Sequence, residues 1–453
     1  VHSCANPLSP SFGLPRDYFT ARAVLATSQP ISSTLKAATA LTSAFVPLPA
    51  NLCSYHPLPV VFARAEGCHV WDPEGKHYYD FLSAYSAINQ GHCHPKILDA
   101  AINQMKNVTL SSRAFHNNIF PEFAKFVTDY FGYERVLPMN TGAEACETAI
   151  KVSRKWGYEV KGIPANKAKI ISCDDCFHGR TVAVISMSTD PEAKDGFGPF
   201  LEGNIKVPYN DIAALERALE KDGKEVAAFM VEPIQGEAGV FVPDDGYLAK
   251  AAELCKKHNV LFVADEVQTG IARTGRMLCV EHDNVRPDLV IMGKAISGGV
   301  YPVSVVMADA HIMDVITPGT HGSTYGGNPV GCATAIAALQ VVKDEGLVER
   351  AETLGAKFRT KMHDMNSPFI TQIRGRGLLN AFVIDESKGV AAWDICMELK
   401  QRGLLCKPTH DNIIRLAPPL VITEAEIDEC ITIIQTTLED FAAGRVKPTP
   451  SQH

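Results

Sequence analysis

The chain reads as a layered α/β protein with a smaller C-terminal domain, and three observations predict this. Helical patterns alternate with short apolar runs from about residue 90 to 330, the rhythm of a βα-type layered domain. The runs are rich in Val, Ile and Leu, as in Val226-Ala-Ala-Phe-Met-Val231, which suits strands buried on both faces of a parallel sheet. After Pro329 the pattern shifts toward long helices, which marks a second packing unit.

Size and composition allow this architecture. At 453 residues the chain can bury a large core in more than one domain. Hydrophobic residues at 46% and charged residues at 21% are values of an ordinary globular protein. A net charge of −8 argues against a nucleic-acid partner, which would need a basic face. No uninterrupted apolar stretch reaches membrane-spanning length, so no membrane partner is expected. The 13 cysteines are odd in number and form no repeating framework, so they read as reduced thiols.

Residues 1–54 contain one acid (Asp17) and three bases (Arg16, Arg22, Lys36) among many Ser, Ala, Thr and Pro. This composition fits either a transit peptide or a poorly ordered extension. Mitochondrial matrix and cytosol are both open, with a lean toward the matrix. Residues 55–87 form an N-terminal segment, in which Gly67 to Gly75 and His77-Tyr-Tyr-Asp80 read as a β-hairpin around a Pro-Glu-Gly turn. His92-Cys93-His94 can be read as metal ligands, but better as a turn into the helix that Pro95 opens. A large domain over 88–345 holds the clearest strands: Lys169–Ser172, Val226–Val231, the runs ending at Asp265 and before Lys294, and Val303–Met307. Cys173-Asp-Asp-Cys176 has redox or metal-pair spacing, yet no second pair follows at zinc-site spacing, so no metal centre is assigned.

The small domain covers 346–444. Thr423-Glu-Ala-Glu426 is a capping box, in which two side chains satisfy each other's backbone N–H groups. Ile427, Ile431, Ile434, Leu438 and Phe441 then make one apolar stripe, and Gly444 is a natural stop. Residues 445–453 are expected to fray.

The chemistry concentrates where two strands end. Val260-Leu-Phe-Val-Ala-Asp265 and Asp288-Leu-Val-Ile-Met-Gly-Lys294 would deliver a carboxylate and an ammonium to the crevice where open α/β sheets bind ligands. A lysine there can condense with an aldehyde, and a nearby acid can hold a ring nitrogen protonated. That is the minimum equipment for pyridoxal 5′-phosphate chemistry. Taken alone, Asp265 would be a strand cap and Lys294 a surface lysine. Gly293 and Ser297-Gly-Gly299 leave room for close approach, and Gln268 can meet a phenolic oxygen. Asn140-Thr-Gly142-Ala143-Glu-Ala145 offers free N–H groups at a helix start, a phosphate site beside the other two residues though a plain helix start without them. His321-Gly-Ser323-Thr324-Tyr-Gly-Gly is a second hydroxyl-rich turn suited to phosphate, or an ordinary surface loop. Arg180 and Arg415 are the candidate carboxylate clamps, with Glu237 a candidate partner for one of them, although each alone would read as a surface ion pair. Tyr55 and Tyr85 can line the pocket or simply pack.

Together, Phe177-His-Gly-Arg180-Thr, Val231-Glu-Pro-Ile-Gln-Gly-Glu237, Ala264-Asp-Glu-Val-Gln268-Thr-Gly and Gly293-Lys294-Ala resemble the class III pyridoxal-phosphate-dependent aminotransferases. The resemblance runs from about Tyr55 to Gly444. It implies fold type I, with a large domain on a mixed, mostly parallel sheet flanked by helices and a smaller α+β C-terminal domain. Tyr55-His-Pro-Leu-Pro59, the stretch Ser83 to Pro95 and Arg415-Leu-Ala-Pro-Pro419 are similar to the branch that uses L-ornithine and 2-oxoglutarate. The resemblance implies that Lys294 attaches the cofactor, Asp265 meets its ring nitrogen, Gln268 its phenolic oxygen and Phe177 its ring face. Gly142 and Ala143 would bind its phosphate, joined by Ser323 and Thr324 from a neighbouring subunit, so a homodimer or higher homo-oligomer is implied. Arg180 and Tyr55 would hold ornithine, Glu237 would mask Arg415 until 2-oxoglutarate arrives, and Tyr85 would disfavour shorter amines.

Overall fold

The chain of elements begins with three short strands, β1 (Arg64–Glu66), β2 (His69–Trp71) and β3 (His77–Asp80). The computed structural model describes residues 57–448. The leader expectation, Tyr55 and the last five residues of the tail lie outside the described residues. β2 and β3 pair antiparallel, with Val70 opposite Tyr78, as the Pro-Glu-Gly turn predicts. Gly75 turns the chain at φ +87°, a conformation that favours glycine. Pro95 opens the helix Pro95–Asn107. His92 bonds Asp80 and His94 bonds Glu345, so the His-Cys-His stretch is a turn.

The central sheet comprises β4 (Arg135–Met139), β5 (Lys169–Cys173), β6 (Asn204–Val207), β7 (Val226–Val231), β8 (Leu261–Asp265), β9 (Leu289–Met292) and β10 (Ser304–Ala308). Their spatial order is β4-β10-β9-β8-β7-β5-β6. β5 through β9 pair in parallel, while β10 runs antiparallel to both β9 and β4. The three central strands β7, β8 and β9 are buried at every position, which explains their continuous rather than alternating apolar pattern. Burying a side chain such as Phe262 or Ile291 stabilises by about 1.5–3 kcal/mol. The 18-residue helix Gly142–Glu159 packs across β7, β9 and β10 through Ala145, Ala149, Val152 and Trp156.

The C-terminal part adds β11 (Ile370–Arg376), β12 (Leu379–Ile384), β13 (Leu404–Leu405), β14 (Lys407–Thr409) and β15 (Ile413–Leu416). Four of these form an antiparallel sheet ordered β11-β12-β15-β14, and β13 joins the N-terminal hairpin by pairing parallel to β3. The last helix, Glu424–Ala442, carries the predicted capping box at Thr423 and Glu426 and buries Ile427, Ile431, Ile434, Leu438 and Phe441. Among the described residues, no helix is long and apolar enough to cross a membrane.

Candidate active site

β8 and β9 are adjacent and parallel, so their C-terminal ends open on the same side. Asp265 is the last residue of β8, and Lys294 follows β9 after Gly293. Lys294 sits at φ +45°, a left-handed conformation that costs a non-glycine residue of order 1 kcal/mol or more and that packing must hold in place. It opens a single 3-10 turn, Lys294–Ser297, closed by Gly298 at φ +59°. Burial lowers the ammonium's pKa below its ordinary value, against the pull of Asp265 and Glu237.

Asp265 is buried and held from three sides. His178 Nδ1 lies 2.7 Å from Oδ2, the Cys146 thiol donates to the same oxygen at 3.3 Å, and the Val267 N–H donates to Oδ1 at 3.1 Å. Burial works against a charged imidazole, yet Cys176, Asp265 and Cys146 together raise His178 well above the usual range. The Asp265 carboxylate thus has a fixed direction, and it faces a cavity of about 180 Å³. Glu232, also buried, accepts the Phe177 N–H at 2.8 Å and so fixes the backbone from which that ring projects into the cavity. Burial, opposed by His178, pushes the Glu232 carboxyl up to about 7.

The opposite wall is the start of the helix Gly142–Glu159. Its capping box spends the Glu144 N–H on Thr141 and leaves those of Gly142 and Ala143 outside the cap. Unspent N–H groups at the positive end of a long helix favour an anion. Close packing requires glycine here: a Cβ on Gly142 would stand 2.9 Å from Val267 Cγ1. Gln268 lines the same cavity and is pinned by Gly236, where a Cβ would fall 2.1 Å from its Oε1.

The substrate side is built differently. Arg415, on β15, is only 3% exposed and donates to Glu237 Oε2 at 2.7 Å, while its guanidinium lies 5.1 Å from the Tyr85 ring centre. Its Nε is buried and has no hydrogen-bond partner among the described residues. Burial raises the Glu237 carboxyl, but Arg415, Lys294 and Arg180 outweigh it and leave the group below its usual range. Tyr85 belongs to a run, Ser83 to Ser86, in which all four non-glycine residues have φ between +46° and +70°. Such a left-handed turn is costly and aims the ring at Arg415 rather than along a strand. Arg180 is exposed, 5.3 Å from the Phe177 ring centre and 3.9 Å from Asp190.

The structure therefore brings Lys294, Asp265, Gln268, Gly142, Ala143 and Phe177 to one cavity. Glu237, Arg415 and Tyr85 form a second group, and Arg180 stands beside Phe177. Ser323 hydrogen-bonds Asn140 of its own chain at 3.1 Å, and Thr324 is exposed. Cys173 and Cys176 are separate buried thiols, bonded toward Tyr247 and the Met187 carbonyl. Sequence reasoning missed His178, Cys146 and Glu232. The only signal for them was local: His178 follows Phe177 and Glu232 precedes Pro233 in runs already singled out.

These residues fit pyridoxal 5′-phosphate by their own chemistry. A lysine with depressed basicity, an anchored acid and an anion site at a helix start share one small cavity, and a flat-faced aromatic side chain lines it. The sequence matches the Aminotransferase class-III family over residues 53–438. It is 62% identical over 405 residues to an ornithine aminotransferase of Schizosaccharomyces pombe, covering 87% of this chain and 92% of that one. It is 58% identical to the mitochondrial ornithine aminotransferase of Rattus norvegicus, covering 86% and 88%. The crystal structure of the ornithine aminotransferase from Toxoplasma gondii superposes with a TM-score of 0.85 at 49% identity, covering 87% and 94%. An acetylornithine aminotransferase from Elizabethkingia anophelis superposes at 0.79 with 54% identity, covering 86% and 97%. With the family matched across most of its length and the site assembled to suit its cofactor, the chain belongs to the class III aminotransferases, which are pyridoxal-phosphate-dependent enzymes.

Proposed function

We infer that this chain is an ornithine aminotransferase, moving the δ-amino group of L-ornithine to 2-oxoglutarate to give L-glutamate 5-semialdehyde and L-glutamate. Identity of 62% and 58% to two proteins of that name supports the reading. Within the chain, one observation carries it: the 2.7 Å bridge that ties Glu237 to the buried Arg415, with Arg180 left exposed. One guanidinium is masked and the other is available, which suits an enzyme that must hold two different carboxylate substrates in turn.

When bound, pyridoxal 5′-phosphate supplies an aldehyde for amine exchange and a ring that accepts electrons from the substrate carbon. The residues divide the remaining work. Lys294 Nζ would hold the group covalently until the substrate amine displaces it, and the freed amine would then carry a proton between the amine-bearing carbon of the substrate and the cofactor. Asp265, directed by His178 and Cys146, keeps the ring nitrogen protonated. Gln268 would meet the phenolic oxygen and Phe177 would cover the ring face, since both line the cavity. The Gly142 and Ala143 N–H groups take the phosphate. Ser323 and Thr324 would add hydroxyls to the phosphate of a neighbouring chain, making a homodimer the minimal active unit.

While ornithine is held, Glu237 stays on Arg415. The α-carboxylate then goes to Arg180, with Tyr55 near the α-amine, and the δ-amine is the one that reaches Lys294. When 2-oxoglutarate enters, Glu237 releases Arg415, whose buried Nε has no partner among the described residues and would be free to donate to the α-carboxylate, while Arg180 takes the distal one. Tyr85 narrows the space beside Arg415 against shorter amines. These roles suit the large domain, 88–345, carrying cofactor chemistry and the small domain, 346–444, carrying the Arg415 clamp. Either a matrix or a cytosolic location accords with the relatives, since the rat protein is named mitochondrial and the S. pombe protein is not.

The acetylornithine aminotransferase neighbour favours a second reading in which the donor is N-acetylornithine. A donor panel with 2-oxoglutarate separates the two. The expected result is turnover of L-ornithine to a product trapped as a cyclic imine. Turnover of acetylornithine with ornithine inert would overturn the assignment.

A further inference from the structure

Away from the active site, the hairpin β2–β3 meets the start of the last helix through an unusual set of side chains. His69 Nε2 lies 2.8 Å from Glu426 Oε1, and Cys68 Sγ lies 3.7 Å from the same nitrogen. All three donor atoms fall within 4.8 Å of one another. The other ring nitrogen of His69 is 2.8 Å from His77 Nε2. The second oxygen of Glu426 is engaged by the Thr423 backbone N–H and hydroxyl, both at 2.7 Å. Cys68 is buried, whereas His69 and Glu426 keep 27% and 22% of their side chains open to solvent, so an ion has a way in.

We propose that Cys68, His69 and Glu426 form a divalent-metal site, suited to Zn²⁺, that staples the N-terminal hairpin to the C-terminal helix. One sulfur, one imidazole nitrogen and one carboxylate oxygen are the donor types zinc takes. Tetrahedral zinc with ordinary bond lengths separates its S and N donors by about 3.5 Å and its N and O donors by about 3.3 Å. The S···N separation already matches, and the N···O pair needs to open by about 0.5 Å to admit the ion in place of the hydrogen bond. A water completes the fourth position. His77 fixes the His69 ring, and Thr423 fixes the Glu426 carboxylate, the supporting contacts that metal ligands ordinarily have. On binding, the thiol proton leaves to solvent and zinc takes its place on sulfur. The His69 Nε2 proton leaves as well, while His69 Nδ1 takes the proton from His77 Nε2 and His77 Nδ1 regains one from solvent, so one proton is released per ion.

The test is equilibrium dialysis of the pyridoxal-phosphate-loaded protein against micromolar zinc, followed by metal analysis and zinc X-ray absorption. The wild type should hold one zinc per chain with one sulfur neighbour. Cys68→Ser and Glu426→Gln should each weaken binding at least about tenfold, as should His77→Gln through the supporting contact. Glu426→Gln preserves the helix start because glutamine also serves in a capping box, so a folding defect does not mimic the result. Unchanged zinc content in Cys68→Ser and Glu426→Gln, no sulfur neighbour, or no binding by the wild type would each overturn the proposal.

Discussion

The two ends of the active-site cleft handle charge in opposite ways. At the deep end, Asp265 is fixed by three donors from three separate segments, and Lys294 is locked by a left-handed backbone and a closing glycine. At the entrance, Glu237 holds Arg415 through a single close contact and is itself 36% exposed. Arg180 has only a 3.9 Å pair with Asp190. Groups that must keep one geometry through both halves of the reaction are buried and multiply bonded. The groups proposed to change partner between two substrates share one ion pair, in which Arg415 is buried and Glu237 is partly open. The two sets thus differ in the number of contacts that hold each acid, three on Asp265 against one on Glu237.

The largest expected effect is at the deep end. Lys294→Ala should lower turnover by ~10³-fold or more, since among the described residues Lys294 is the one lysine lining the cavity, placed to attach the cofactor and carry the proton. Far-ultraviolet circular dichroism should show the fold retained, and turnover near the wild-type rate would break the distinction. Asp265→Asn comes next, with a loss of about 10²-fold in kcat, because a neutral amide cannot keep the ring nitrogen protonated. His178→Gln should give a smaller loss in kcat and shift the absorbance of the bound cofactor, as expected of a residue that acts by directing Asp265. An unshifted spectrum would remove it from that role.

At the entrance the effects should be selective. Glu237→Gln leaves Arg415 unmasked, so L-glutamate should gain on L-ornithine as amino donor by roughly tenfold in relative kcat/KM, about 1.4 kcal/mol of discrimination. An unchanged ratio would mean that the bridge is structural. The smallest effect is on stability. The Glu237 pKa is lowered in the folded protein. The bridge therefore stabilises fully above the ordinary carboxylate range and loses this contribution as pH falls through the lowered value. The thermal midpoints of wild type and Glu237→Gln should differ at neutral pH and converge in acid, as differential scanning calorimetry can follow.

The same contrast explains what was legible in the sequence. β7, β8 and β9 could be read because strands buried on both faces must be continuously apolar, and the placement of Asp265 and Lys294 follows from where those runs stop. The capping box at Thr423 could be read because its partners are three residues apart. The clamp of Cys146 and His178 on Asp265 could not, because it joins residues 119 and 87 positions apart that carry no shared local pattern. The left-handed run Ser83 to Ser86 was equally hidden, since none of its residues is a glycine and only packing around the site enforces it. The need for glycine at position 236 was hidden too, because it comes from Gln268, 32 positions on, whose Oε1 would lie 2.1 Å from a Cβ there.

The central claim is that one amine, on Lys294, carries the chemistry against the anchored acid Asp265. Borohydride reduction of the cofactor-loaded protein, followed by proteolysis and mass spectrometry, tests it most directly. The account predicts a single pyridoxyl adduct on the peptide containing Lys294. An adduct on another lysine, or none on fully loaded protein, would contradict it.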